Sequence, residues 1–157
     1  MGVVTFNGDY TSPIPPARLF KASILDSKNS IPKIMPEHVK SVEIIQGSGG
    51  AGSVKQIDFV QGGYVKLKVE TLDESSFTYS YNIFEGVGLT DKIEKMQFDI
   101  KFEASDGGSK CTMTTKCYPK GDAELNEENC KAGKDKILGM YKAVETYLIQ
   151  NADAYAS

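Results

Sequence analysis

Between Val42 and Cys117 the chain keeps returning to a period of two, and beyond Asn126 it changes to steps of three and four. Val42 and Ile44 flank Glu43, and Lys55, Ile57 and Phe59 share one face. Val65, Leu67 and Val69 alternate with Lys66, Lys68 and Glu70, and Phe77, Tyr79, Tyr81 and Ile83 form another one-sided row. Met96, Phe98, Ile100 and Phe102 alternate with Gln97, Asp99, Lys101 and Glu103; Cys111, Met113, Thr115 and Cys117 line one face. Successive side chains of a strand point to opposite faces, so these rows predict half-buried antiparallel strands. Gly62-Gly63 and Asp106-Gly107-Gly108 supply turns between them.

The last segment places Cys130, Ile137, Met140, Tyr141, Val144 and Leu148 on one stripe of an amphipathic helix. Asn126 suits its N-cap, and Glu127 and Glu128 suit the positive end of its dipole. Gly133 and Gly139 each cost a helix on the order of 1 kcal/mol relative to alanine. They mark either a tight contact with the sheet or room left for something else. Upstream, Thr11-Ser-Pro-Ile-Pro-Pro16 ends a first strand and opens a helix over Ala17–Leu25, and Ile31–Pro36 confines a second helical piece to a few residues. One long helix facing a strongly curved antiparallel sheet is an α+β architecture. The row Phe59, Tyr79, Tyr81 and Phe98 can pack that helix directly or stand off and leave a cavity, and periodicity leaves both open.

Composition narrows the function classes. At 157 residues the chain is one domain, 1–157, able to bury roughly 70% of its unfolded surface. A net charge of −3 argues against a nucleic-acid footprint. No run approaches the roughly 20 apolar residues that span a bilayer, and the first residues lack a signal peptide's apolar core. The expected setting is therefore the cytosol, with no membrane partner and a monomer as the default. Three cysteines, Cys111, Cys117 and Cys130, form no CxxC pair. Were Cys111 and Cys117 on one strand, they would lie about 20 Å apart at about 3.4 Å per residue, too far for a disulfide. All three read as reduced core thiols. No metal motif, nucleophile elbow or cofactor signature is present, so neither metal nor cofactor is expected. The one histidine, His38, reads as partly exposed and without a catalytic role.

Gly47-Ser-Gly-Gly-Ala-Gly52 has the letters of a dinucleotide fingerprint, but that motif needs a helix after it to receive the phosphate. Here Ser53–Phe59 alternates as a strand, so Gly47, Gly49, Gly50 and Gly52 read as a glycine-rich hairpin. The stretch Val42–Ser53 resembles the signature loop of the class-10 pathogenesis-related (birch-pollen major allergen) family of plant proteins. The resemblance runs through Ser12–Ala22, Ile31–Lys33, Tyr79–Tyr81, Phe84–Gly86, Asp91–Lys95, Asp106–Ser109 and Lys120–Asp122, and closes on Tyr147–Tyr155. It covers essentially the whole chain in order.

The resemblance implies a helix-grip fold: a seven-stranded antiparallel sheet around a long C-terminal helix, two short helices after the first strand, and a large internal cavity. It implies a hydrophobic plant small molecule as partner, such as a cytokinin, flavonoid, sterol or other secondary metabolite, held by a carrier or reservoir in defence or hormone signalling. The lining it implies is Ile24, Ile31 and Val39; Lys55, Ile57 and Phe59; Val65 and Leu67; Tyr79, Tyr81 and Ile83; Phe98, Ile100, Met113 and Cys117; and Gly133, Lys136 and Met140. Tyr79 and Tyr81 offer hydroxyls on apolar bodies, and Lys55 can reach an acid or carbonyl. The plainer alternative makes the tyrosines core and Lys55 surface. Two alternatives are enzymatic. A weak ribonuclease would use Glu94, Glu145 and Tyr147, with Lys55 and the glycine loop as its phosphate site. A biosynthetic enzyme would use Lys55 or Lys136 as a base on a bound metabolite. The chain departs from the family pattern at Gln46, Ser48 and Val87, where acids are common, and at Ser23, where many members carry Phe. Leu67 stands where a polar residue is common.

Overall fold

The structure, a computed structural model, describes residues 3–87, 89, 92–125 and 127–155, without the side-chain surroundings of 129, 132 and 133. The proposed N-cap Asn126 and the helical Gly133 therefore lie outside what is described. Strand β1 (Val4–Ser12) leads into α1 (Pro16–Phe20), a π-helical turn (Lys21–Leu25) and α2 (Ser27–Ile34). Then come β2 (Val39–Gln46), β3 (Val54–Phe59), β4 (Tyr64–Asp73), β5 (Thr78–Gly86), β6 (Ile93–Ser105) and β7 (Gly108–Pro119). The chain ends in α3 (Glu127–Gln150).

All seven strands form one antiparallel sheet in the order β1-β7-β6-β5-β4-β3-β2. From β2 onward each strand pairs with its successor, so five hairpins build the sheet and the last strand returns to pair with the first. The helices α1 and α2 carry the chain from one edge strand to the other. Asp106 and Gly107 make the β6–β7 turn with φ of 42° and 82°, the left-handed pair that a two-residue hairpin of matching twist requires. Register shifts interrupt the β2–β3, β4–β5 and β6–β7 ladders. Such bulges bend strands, and here they let the sheet fold around the helix.

The alternation read from the sequence is the alternation of burial. Met96, Phe98, Ile100 and Phe102 are buried while Gln97, Asp99, Lys101 and Glu103 face outward. Cys111, Met113, Thr115 and Cys117 complete the inner face on β7. The three cysteines are free and buried; the thiols of Cys117 and Cys130 touch, linking β7 to α3. Burial pushes the Cys111 thiol up to about 11, so it behaves as a core side chain rather than a nucleophile.

The second helical piece is longer than the sequence suggests. It starts at Ser27, and Pro32 lies inside it two residues from its end at Ile34, where the missing N–H frees only the carbonyl of Lys28. The far end of α3 is closed by a side chain from α1. Arg18 donates from Nη2 to the carbonyls of Leu148 (2.9 Å) and Asn151 (2.8 Å), and from Nε to that of Ala154 (2.7 Å). One guanidinium thereby caps the Leu148 carbonyl in the last turn of α3 and ties down the segment that follows it. No described helix is long and apolar enough to cross a membrane.

Candidate functional site

Helix α3 does not sit evenly over the sheet. Its closest backbone approaches to other elements are to β1, α2 and the π-helical turn. On that side Tyr141 meets Phe102 edge-on at 6.1 Å, and Cys130 meets Cys117. Toward β2–β5 the helix stands off, and the space between holds a cavity of about 1130 Å³.

Ile57, Phe59, Val65, Leu67, Tyr79, Tyr81 and Ile83 line that cavity from β3, β4 and β5. Ile31 on α2, Val39 on β2, and Lys136 and Met140 on α3 close it from the other sides. Its floor is buried, whereas Pro36, Glu37, His38, Gln61, Gly62 and Val87 are exposed and form a rim. The mouth is thus made by the α2–β2 connection, the β3–β4 turn and the end of β5.

Lys55 is the polar centre of the site. Its place on the inner row of β3 buries it to 5% exposure. Nζ donates to the Tyr79 hydroxyl at 3.3 Å and lies 5.4 Å from that ring's centre. Among the described residues no carboxylate forms an ion pair with it. Loss of hydration without a compensating charge lowers its pKa from 10.5 to about 8. The other acidic and basic side chains bordering the same space are Lys33, Glu37 and His38 toward the rim and Lys136 on α3. Tyr79 and Tyr81 stand 5.0 Å apart, and Tyr81 stacks on Phe98 at 5.2 Å. Burial holds both phenols well above their usual pKa, so they remain donors. Tyr81 accepts a hydrogen bond from Tyr141, and Tyr79 accepts one from Lys55, which leaves the Tyr79 proton available to a bound molecule beside the amine.

Several residues named from the sequence lie elsewhere. Phe98, Ile100, Met113 and Cys117 do not line the cavity: β6 and β7 lie where α3 packs down, and Tyr81 covers Phe98. Ile24 faces a second hollow of about 260 Å³ beneath the glycine loop, shared with Ser48, Gly49, Gly50 and Lys55. Val42 and Lys55 border both hollows, so the lysine stem stands between them. The glycine loop closes the β2–β3 hairpin and turns its donors inward. Gly49 N–H donates to Ser53 Oγ at 2.7 Å, and Gly52 N–H donates to the Val69 carbonyl at 2.7 Å. Gly47 and Gly52 border neither hollow.

The hydrolytic candidates do not converge on Lys55. Glu94 is exposed on β6, Glu145 and Tyr147 are half-buried on α3, and none borders either hollow. The Tyr147 ring is occupied by the Lys33 ammonium at 5.6 Å. Conversely, the rim from Lys33 to His38, together with Gln61, Leu89 and Gly139, was not legible as a site. These residues lie in connections or on the edge of a stripe, where periodicity carries no signal. Val42 and Met96 belong to alternating rows and could have been found. A Cβ added at Gly139 would meet nothing within 4 Å, so this glycine leaves room rather than making a tight contact.

The sequence model of the family described as "Pathogenesis-related protein Bet v 1 family" matches residues 1–151. The major allergen Mal d 1 of Malus domestica is 48% identical over 158 residues, covering 99% of each chain. The major strawberry allergen Fra a 1.04 of Fragaria ananassa is 49% identical over 159 residues, again covering 99% of each. Among solved structures, Ara h 8.0201 superposes with a TM-score of 0.87 at 42% identity, covering 95% of this chain and 99% of that one.

Proposed function

The chain belongs to the pathogenesis-related protein Bet v 1 family, and from that premise we propose that it holds a hydrophobic or amphipathic small molecule beneath α3, as a carrier or reservoir. The observation that carries this reading is the stand-off of α3 over β2–β5. It leaves about 1130 Å³ lined mainly by aliphatic and aromatic side chains, with one buried amine hydrogen-bonded to a phenol oxygen. Ligand sites commonly combine roughly 300–1,000 Å³ of mostly apolar lining with a few polar groups that orient the guest.

Lys55 and Tyr79 favour a guest with an acidic or carbonyl head and an apolar body. The ammonium supplies charge and the phenol a hydrogen bond, at a place where few other polar groups compete. Ser23, Leu67 and Val87, where the chain departs from the family pattern, all border the cavity. They support a guest chosen differently from that of members carrying Phe, a polar residue and Asp there.

The chain has no Trp, so an environment-sensitive dye reads against little background. Saturable dye uptake, displaced at micromolar concentration by one class among cytokinins, flavonoids, sterols and other plant metabolites, is the expected result. No uptake by a protein that melts cooperatively would overturn the carrier reading.

A further inference from the structure

We propose that Lys55 is a carbonyl-capturing amine, which binds apolar aldehydes in the cavity as a reversible imine with Tyr79 hydrogen-bonded to the reacting oxygen. The inference rests on the cavity reading above and deepens it by naming a class of guest and a bond.

The geometry is that of a nucleophile rather than of a structural cation. A lysine kept for stability would show an ion pair or reach water, yet Lys55 is 5% exposed and pairs with no described carboxylate. Its hydrogen-bond partner is a phenol at 3.3 Å, and the lysine donates, which leaves the phenol proton free. The amine opens onto about 1130 Å³ of mainly apolar space, broad enough for a guest many times the size of the carbonyl group. Across that space stand Tyr79 and Tyr81 from β5, Lys136 from α3, and Lys33, Glu37 and His38 toward the rim. On the glycine-loop side stand Lys28 and Glu74. With its pKa near 8, roughly a tenth of the Lys55 population is neutral at pH 7, against well under a thousandth for an ordinary lysine. Desolvation in an apolar pocket is one of the recognised ways to make a lysine nucleophilic toward carbonyls.

The step balances within the pair. The Nζ lone pair forms the C–N bond while the carbonyl π electrons move to oxygen, which accepts a hydrogen bond from the Tyr79 hydroxyl. One amine proton passes to that oxygen, giving a carbinolamine. The second follows as the C–O bond breaks, so oxygen leaves as water and Nζ remains doubly bonded to carbon. No oxidant or reductant is consumed. The apolar walls limit the water that would reverse the step.

The test uses the full chain with 3-phenylpropanal as probe and 3-phenylpropanol as its unreactive counterpart. Sodium cyanoborohydride fixes any imine, and intact mass with peptide mapping locates it among the seventeen lysines. The expected result is a single adduct at Lys55, formed at least tenfold faster than at any other lysine and lost in both Lys55→Met and Lys55→Arg, each checked for cooperative melting. Adducts spread over surface lysines, with the variants unchanged, would overturn the proposal. Displacement of the cavity dye by both probe and alcohol, with no Lys55 adduct, would also overturn it while leaving the carrier reading standing. Failure of either compound to displace the dye, again with no adduct, would overturn the proposal; failure of the wider ligand panel as well would remove the carrier reading.

Discussion

Lys55 shares its face of β3 with Ile57 and Phe59, and a hydrophobe there would fit the row. Holding an ammonium instead has a cost that depends on pH. The unfolded chain keeps the proton up to about 10.5 and the folded chain only up to about 8, so between these values the unfolded state binds more protons. Folded stability contributed by this group therefore rises with pH across that window. Below 8 both states are protonated and the full cost, about 3 kcal/mol, is present; above 10.5 it is gone. Lys55→Met should accordingly raise stability by up to about 3 kcal/mol at pH 7 and by only about 1 kcal/mol at pH 10. Urea unfolding at the two pH values reads this directly. An equal gain at both would assign the effect to packing rather than to charge.

At the scale of elements, two glycines differ in what surrounds them, one on α3 where it stands off from β2–β5 and one where β7 begins. A Cβ at Gly139 would meet nothing within 4 Å, whereas one at Gly108 would lie 2.0 Å from the Ser12 carbonyl oxygen and 2.8 Å from Pro13 Cα. Gly108 is where β7 begins against the end of β1, and only a missing side chain lets the two backbones approach that closely. Gly139→Ala should therefore stabilise the protein by up to about 1 kcal/mol through helix propensity, and Gly108→Ala should destabilise it by several times as much. Thermal melts of the two variants check the pair, since the same substitution must shift the midpoint in opposite directions. Destabilisation by both would mean that Gly139 is held by a contact after all. The Arg18 clamp belongs to this scale as well. It ties the end of α3 to α1, so the helix is anchored at one end while its middle spans the cavity.

For the molecule as a whole, a large hollow trades packing for capacity. Space that could have held interdigitating side chains is left open, and binding of the proposed guest should return some of the forgone stability. A guest present at a hundred times its dissociation constant adds about 2.7 kcal/mol to the folded state. For a chain of this size that is an upward shift of roughly 5–10 °C in the melting midpoint. Scanning calorimetry with increasing guest should show the midpoint climbing with the logarithm of concentration. A compound that displaces the dye without raising the midpoint would be bound outside the folded cavity.

The succession of strands along the chain, the long final helix and the inner rows were legible in the sequence. A half-buried strand and an amphipathic helix both write their burial into residue period, so Met96–Phe102 and Tyr141–Leu148 declare their faces locally. The resemblance carried by Val42–Ser53 and the segments after it placed the same elements in one family, in agreement with the comparison over residues 1–151. The site was legible where it coincides with those rows, at Lys55, Tyr79 and Tyr81 among others, and where the resemblance names its lining, at Ile31, Val39 and Lys136. The uneven seating of α3, and with it the separation of Phe98, Ile100, Met113 and Cys117 from the hollow, depends on long-range contacts such as Cys130 with Cys117 and Tyr141 with Phe102. The rim from Lys33 to His38 depends on where a connection without periodicity lies against two hairpins. Period reports which face of an element is covered; only the assembled structure decides whether side chains or empty space cover it.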